Sequence, residues 1–181
     1  SMRNERHLWT SVRPNGPERP YRLNRLELRI CDLVTDPAEL IAITALLELR
    51  VMLLMQQPEQ LDPLIASSLS AAELVMLADA NDLAASEASL DATLHHWKDA
   101  APLICRDWIT ALIESVQPLA VEIGLSHRLK PLMTLLENGN QAMRWQSENA
   151  AGRSIADLLH AGSLTMEEQE LADHSCSAAL G

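Results

Sequence analysis

Apolar and polar positions alternate at the start of the chain. The alternation runs from His7 to Val12 and again from Asn24 to Asp32, and a period of two residues is that of a half-buried strand. Between the two segments lies Pro14 to Tyr21, with three prolines and an Asn-Gly pair. Proline cannot donate a ladder hydrogen bond, and Asn-Gly favours a turn. The pattern therefore predicts two antiparallel strands joined by a loop.

Helix signals dominate the rest of the chain. Asp36-Pro37-Ala38-Glu39 supplies an N-cap, a proline at the first helical position and an acid in the first turn, which predicts a long helix ending near Gln57. Capping-box patterns at Ser70 to Glu73 and at Thr165 to Glu168 predict two further helix starts. Glycines that favour helix ends lie at four positions, Gly124, Gly139, Gly152 and Gly162.

Two apolar stripes at helical spacing predict amphipathic helices, one over Trp108 to Val116 and one over Leu129 to Leu136. The expected fold class is α+β and predominantly helical, with an N-terminal strand pair packed on a C-terminal helical bundle. We expect three segments: residues 1–35 as strand, loop and strand, residues 36–170 as a helical subdomain, and residues 171–181 as a flexible tail rich in alanine and serine.

Composition supports this assignment. Hydrophobic residues make up 48% of the 181 positions, with no Phe and one Tyr, which favours helix over strand. The formal net charge of -11 repels phosphate backbones and anionic lipids, so we expect neither nucleic-acid nor membrane binding. The N-terminal segment differs from the acidic remainder of the chain because it is rich in basic residues. It holds half of all Lys and Arg: Arg3, Arg6, Arg13, Arg19, Arg22, Arg25 and Arg29.

Cysteine usage indicates a reducing compartment. Cys31, Cys105 and Cys176 are far apart and odd in number, which argues against a disulfide framework or a closed zinc site. The most apolar run, Leu40 to Met55, is interrupted by charges and is shorter than the ~20 residues that cross a bilayer. A cytoplasmic location is expected.

The second predicted strand carries a row of charges. On a strand, Arg25, Glu27 and Arg29 share one face. Such a row is either a surface ladder of ion pairs, each worth about 0 to 1 kcal/mol, or a site for a hard cation and phosphate, in which a carboxylate holds Mg²⁺ and guanidinium groups neutralise phosphate oxygens. The pattern by itself favours the ladder. Arg13, on the polar face of the first strand, would add a third contact to the site.

A resemblance shifts this balance. The strand Asn24 to Asp32, with the helix that Asp36-Pro37 begins, resembles the metal-binding strand and helix of the glutamine-synthetase-like ligase superfamily. The longer stretch His7 to Asp32, together with Ser89-Leu90-Asp91-Ala92, Trp97 and Gly139-Asn140-Gln141-Ala142-Met143, resembles the C-terminal half of cyanobacterial-type glutamate-cysteine ligases. The similarity covers nearly the whole chain and ends near residue 165.

The resemblance implies an ATP-dependent carboxylate-amine ligase that joins glutamate to cysteine through an acyl phosphate. Glu27 would be a Mg²⁺ ligand, Arg29 the catalytic contact to the transferred phosphoryl group or the substrate carboxylate, and Arg13, with Arg29, a contact to nucleotide phosphate. Such ligases carry a larger N-terminal portion, so we expect this chain alone to be inactive and to need that missing half as a partner.

Two other hypotheses stay open. One is a non-catalytic helical interaction module whose strands need a partner sheet, since an isolated two-stranded ribbon is marginal, and a homo-oligomer would satisfy them. The other keeps the chemistry but changes the amine acceptor.

Further candidate groups are discounted. His95 and His96 are predicted at adjacent helical positions, which do not form the i, i+4 pair that chelates a metal. Cys105 is expected to be buried and inert. Three tryptophans are expected to lie in the core or at its boundary rather than to stack on bases: Trp97, Trp108 and Trp145.

Overall fold

The computed structural model describes residues 12–15, 25–28 and 34–178. The chain separates into two units, Ser1–Leu33 and Val34–Gly181. The described part of the first unit consists of strands, and that of the second unit consists mostly of helices.

The first unit contains an antiparallel pair of strands, β1 (Val12–Asn15) and β2 (Arg25–Leu28). The predicted pairing is therefore confirmed, although the other residues of both predicted strands lie outside the described ranges. Pro14 and Asn15 were assigned to the connecting loop, and this is wrong, because they pair with Leu26 and Arg25 inside β1. Both strands of a ribbon are edge strands, where a proline is tolerated because one side of the strand has no ladder partner.

The second unit is predominantly helical, which confirms the predicted fold class. Its long helices are α1 (Pro37–Gln56), α4 (Ala71–Ala88), α5 (Cys105–Glu122), α6 (Lys130–Asn138), α7 (Gln141–Ala150) and α8 (Ile155–Ala178), with short α2 (Pro58–Leu61) and α3 (Pro63–Ala66) between α1 and α4. A short hairpin, β3 (Thr93–His95) and β4 (Pro102–Ile104), interrupts the helices, and 3-10 turns lie at Ser89–Asp91 and Ser126–Leu129.

Local capping determines where two of the long helices begin. Asp36 caps α1 by accepting a hydrogen bond from the Ala38 amide at 2.8 Å, and Pro37 occupies the first helical position. Ser70 and Glu73 form a reciprocal capping box at the start of α4. Both predicted starts are confirmed, since they depend on neighbours in the sequence alone.

The predicted start at Thr165 and the predicted stop at Gly162 are both wrong, because α8 runs through them. A Cβ atom at Gly162 would lie 2.9 Å from the Cγ2 atom of Thr35. This glycine therefore permits a close approach between two segments and does not end a helix. The flexibility of residues 171–181 stays a prediction, with α8 extending to Ala178.

The β3–β4 hairpin was not predicted from the sequence. Its strands have three residues each, and its turn contains Ala100 at φ 59° in place of a glycine. The assignment of His95 and His96 to a helix is therefore wrong, because His95 ends β3 and His96 begins the turn. The hairpin is held to α4 by Asn81, which bonds both the amide and the carbonyl of His95 at 2.8 and 2.9 Å.

His96 contacts two tryptophan rings. Its ring centroid is 5.3 Å from that of Trp97 and 5.2 Å from that of Trp108, and its Nδ1 accepts a hydrogen bond from the Lys98 amide at 3.1 Å. Desolvation lowers the pKa of His96, and the charge of Lys98 lowers it further, while Asp99 opposes the change. The three tryptophans are half-buried, as predicted for boundary positions.

The apolar core of the second unit lies where α1 meets α5, α6 and the 3-10 turn before α6. Leu49 of α1 and Val116 of α5 are its largest fully buried side chains. The other members come from the same elements and from the turn after α4: Ala42, Ala45, Leu46, Leu53, Leu90, Ile113, Leu119, Ala120, Leu129, Leu132, Leu135 and Leu136. Of the helices that the structure describes, none has the length and apolar character needed to cross a membrane.

Truncation of Leu49 to alanine tests this core. We expect Leu49→Ala to lower the free energy of unfolding by about 2–5 kcal/mol, because it removes a fully buried side chain and leaves a cavity. Leu40→Ala in the same helix, where the side chain is 49% exposed, should cost less than about 1 kcal/mol. Urea unfolding of both variants measures the difference, and equal losses would contradict the assigned faces of α1.

The lowered pKa of His96 predicts a pH-dependent stability. The folded pKa lies below the ordinary value of 6.5. Just below that pH, His96 therefore binds a proton more readily in the unfolded chain than in the folded chain. The free energy of unfolding should therefore fall as pH decreases from 6.5 toward the folded pKa, and this contribution should level off below it.

Urea unfolding over this pH range compares the wild type with His96→Gln. The difference in unfolding free energy between the two should change with pH across the window. A His96→Gln curve that runs parallel to the wild type would show that His96 does not contribute.

Candidate functional site

Two of the charged positions predicted for the site are partners on the β1–β2 ladder. Arg13 is the direct partner of Glu27, and Asn15 is the partner of Arg25. Directly opposite positions of an antiparallel pair lie on the same face of the sheet. The backbone therefore brings positions 13 and 27 together. Arg29 lies outside the described residues, so its place relative to the pair stays a prediction.

This register is compatible with both interpretations of the charged row. An arginine position opposite a glutamate position is what a ladder of cross-strand ion pairs needs, and it is equally compatible with a site in which a carboxylate binds a metal ion and a guanidinium group binds phosphate. Magnesium prefers about six oxygen ligands, and Glu27 is the one carboxylate residue in β1 and β2. The donor set therefore fits Mg²⁺ in part, with the other oxygens to be supplied from outside these strands.

The described residues form no metal site of another kind. Within them, no group of three or more His, Cys, Asp or Glu side chains is placed to hold a metal ion. Cys105 is half-buried at the start of α5, and burial raises the pKa of its thiol. A thiol with a raised pKa is a poor nucleophile at neutral pH. Cys105 was expected to be buried and is instead half-buried, and its inertness stays a prediction.

The second unit contains a buried ion pair that the sequence did not reveal. Glu39, in the first turn of α1, is 7% exposed, and Arg144 of α7 donates to each of its carboxylate oxygens at 2.8 Å. The hydrogen bonds to Glu39 raise the pKa of Arg144, which keeps the guanidinium charged. A two-point contact of this kind fixes both distance and orientation between two helices.

Arg144 also organises the loop before its own helix. Its guanidinium donates to the Gly139 carbonyl at 2.8 Å and to Gln141 Oε1 at 3.3 Å. Gln141 Oε1 accepts a second hydrogen bond from the Thr35 hydroxyl at 2.8 Å. The segment just before α1 and the segment just before α7 are therefore held together by one polar network.

Asn140 connects this network to the end of α4. Its Oδ1 caps α7 by accepting from the Met143 amide at 3.0 Å, and its Nδ2 donates to Ser89 Oγ at 2.6 Å. The Ser89–Ala92 and Gly139–Met143 segments, both part of the sequence resemblance, thus contact each other. An N-cap asparagine at position 140 was the only local signal of this arrangement, since the partners are 51 residues apart.

Removal of Arg144 should destabilise the second unit. Arg144→Met leaves the Glu39 carboxylate buried without its partner, and we expect the free energy of unfolding to fall by about 3 kcal/mol. The double variant Glu39→Gln with Arg144→Met should be less destabilised than the sum of the single variants, because it removes the unpaired charge.

The matched control is Arg153→Gln, which removes an arginine from an exposed pair with Glu148 and should cost no more than about 1 kcal/mol. Chemical denaturation of the four variants measures these energies. An Arg144→Met loss as small as that of Arg153→Gln would show that the pair does not hold the two helices together.

Comparison with known proteins identifies the family. The family model described as glutamate-cysteine ligase family 2 (GCS2) matches residues 1–168. This range includes both strands of the ladder, the Glu39–Arg144 network and the first part of α8. No curated protein and no solved structure matched the chain. The chain belongs to glutamate-cysteine ligase family 2.

Proposed function

We propose that the chain is the C-terminal part of an ATP- and Mg²⁺-dependent glutamate-cysteine ligase, which forms γ-glutamylcysteine in the first step of glutathione biosynthesis. The observation that carries this proposal is the family match over residues 1–168. The register of the ladder is compatible with it, since Arg13 and Glu27 are direct partners. Family membership favours this function over a non-catalytic interaction module, and the family's name favours cysteine as the amine acceptor.

In this proposal the strands supply one side of the phosphate site. Glu27 is a Mg²⁺ ligand, because a carboxylate oxygen is the ligand that this ion prefers. Arg13 contacts nucleotide phosphate, and Arg29 contacts the transferred phosphoryl group or the substrate carboxylate. Mg²⁺, when bound, neutralises charge on the phosphate oxygens. The guanidinium groups neutralise the remaining charge and orient the phosphate.

The proposed reaction has two steps that balance. An oxygen of the glutamate γ-carboxylate attacks the γ-phosphorus of ATP, and the bond between this phosphorus and the oxygen that it shares with the β-phosphate breaks. ADP departs, and the γ-carboxylate is then an acyl phosphate. The cysteine amine then attacks the acyl carbon, loses a proton, and expels phosphate. The protein contributes mainly positioning and charge neutralisation. Since β1 and β2 contain one carboxylate residue, further metal ligands are proposed to come from an N-terminal half, without which this chain is inactive.

Substitution of Glu27 tests the proposal in the full-length ligase. Glu27→Gln should lower glutamate- and cysteine-dependent ATP turnover by about 100-fold or more, because it removes a charge that acts on the transferred phosphoryl group. A higher Mg²⁺ concentration should restore part of the activity, since the variant binds the ion more weakly. Arg25→Gln, in the same row of the same strand, is the matched control and should retain most of the turnover.

A charge swap separates the site from a surface ladder. Arg13→Glu combined with Glu27→Arg keeps an ion pair at the same register, so a ladder with no other role would tolerate it at a cost of at most about 1 kcal/mol in stability. The proposed site requires the carboxylate on β2, and the swapped enzyme should be as inactive as Glu27→Gln. Wild-type turnover in the swapped enzyme would refute the assigned roles.

A further inference from the structure

The helix α4 has no buried side chain, although it is 18 residues long. It contacts β3 and the 3-10 turn that follows it, and the apolar core of the second unit contains no residue of α4. Isolated helices of about this length are marginal in water, and most helices in proteins are stabilised by the packing of an apolar face. α4 therefore receives less support from the rest of the chain than helices of its length ordinarily do.

One side of α4 makes its contacts within the chain. The side chains on this side are half-buried and are spaced three or four residues apart, which places them on one face of the helix: Leu74, Leu77, Asn81 and Ala84. Asn81 bonds the backbone of His95 in the hairpin. This side of α4 is therefore the side that faces the β3–β4 hairpin.

The other side of α4 is an exposed apolar stripe. Val75 is 64% exposed, Met76 is 71% exposed and Leu83 is 55% exposed, and Ala72, four residues before Met76, is also exposed. Spacings of three, four and seven residues place these four side chains on one face, which we call the α4 stripe. Apolar side chains at such spacings are the anchors by which an amphipathic helix packs lengthwise against a partner.

Acidic residues flank the α4 stripe on both sides. Asp82 follows Val75 by seven residues, Glu87 follows Leu83 by four, and both are exposed. α4 contains no Lys or Arg that could pair with them within the helix. Residues 51–97 hold seven Asp and Glu and no Lys or Arg. Asp79 already has an interaction within the chain, so the charges offered to a partner are those of Asp82 and Glu87.

The charge of this surface selects the kind of partner that can cover it. A second copy docked through the same stripe would place acidic residues against acidic residues, which is repulsive. Nucleic acid and anionic lipid are repelled for the same reason. A helix whose apolar face is flanked by Lys or Arg complements both the stripe and its acids.

We propose that α4 is the docking site for a basic amphipathic helix of another protein. The apolar side chains of that helix cover the α4 stripe, and its Lys or Arg residues pair with Asp82 and Glu87. Burial of the stripe provides most of the affinity, while the ion pairs exclude acidic partners. This inference goes beyond the ligase proposal, because no step of the proposed reaction uses this surface of the helical unit.

A synthetic peptide of the stated chemistry tests the proposal. It has about three heptads with Leu at positions a and d and Lys at positions e and g, where the like charges keep it from pairing with itself. A twin peptide carries Glu in place of Lys. Fluorescence anisotropy of each labelled peptide is measured as the chain is added. The Lys peptide should bind saturably and more weakly as salt is raised, and the Glu peptide should not bind.

Substitutions in the α4 stripe locate the binding surface. Met76→Ala combined with Leu83→Ala should weaken binding of the Lys peptide by about tenfold or more, as expected for the loss of two apolar anchors. The matched control is Met133→Ala combined with Leu159→Ala, since these residues are exposed on α6 and α8. The control should bind the peptide as the wild type does.

Substitutions of the flanking acids test the charge complementarity. Asp82→Asn combined with Glu87→Gln should weaken binding by about threefold or more and reduce its salt dependence, as expected for two exposed ion pairs. Glu114→Gln combined with Glu137→Gln removes two exposed acids from α5 and α6 and should leave the affinity near that of the wild type.

Four results would overturn the proposal. These are the absence of saturable binding by the Lys peptide, equal binding of the Glu peptide, equal weakening by the two apolar double variants, or equal weakening by the two acidic double variants. Failure of the ligase proposal is a separate outcome, since the turnover of Glu27→Gln does not enter any of these measurements.

Discussion

Burial of the Glu39 carboxylate is the constraint on which the arrangement of the helical unit depends. A charge with 7% exposure at the start of an apolar helix is costly unless another group compensates it fully. Arg144 does so with two hydrogen bonds of 2.8 Å, and this requirement fixes the position of α7 against α1. The same guanidinium then holds Gly139 and Gln141, and through Gln141 it holds Thr35.

This network holds in place the segment just before α1, which follows the second strand in the sequence. Thr35 and Asp36 come only a few residues after Arg29, so the chain that leaves the proposed phosphate site enters a segment held by side-chain contacts. The proposed phosphoryl transfer depends mainly on positioning and charge neutralisation, and the proposal assigns it to residues of the strands.

The features that were predicted correctly depend on neighbours in the sequence. Asp36 caps the helix that begins at the next residue, and Ser70 and Glu73 cap α4 within one turn. The same kind of signal was misleading at Thr165, because a capping pattern does not begin a new helix when the residues before it are already helical. Gly162 was misread because the reason for a glycine there is the side chain of Thr35, which is distant in sequence and would lie 2.9 Å from a Cβ atom at this position.

Features that depend on distant partners were not predictable. The Glu39–Arg144 pair joins residues 105 positions apart, and no periodicity marks either residue as buried. The β3–β4 hairpin has strands too short for an alternation to be visible. Its turn contains Ala100 at a positive φ, whereas a turn of this kind is recognised in a sequence by glycine or asparagine. For the candidate site, the alternation of β1 and β2 predicted which positions share a face, whereas the roles of Arg13, Glu27 and Arg29 came from resemblance.

The most direct measurement is a titration of the full-length ligase with Mn²⁺ in the presence of ATP, in which electron paramagnetic resonance detects the bound ion. Mn²⁺ is used because it accepts the same oxygen ligands as Mg²⁺. We expect weaker Mn²⁺ binding in Glu27→Gln than in the wild type, and wild-type binding in Arg25→Gln. Equal Mn²⁺ affinity in all three proteins would contradict the assignment of Glu27 as a metal ligand, and with it the placement of the phosphate site on the β1–β2 ladder.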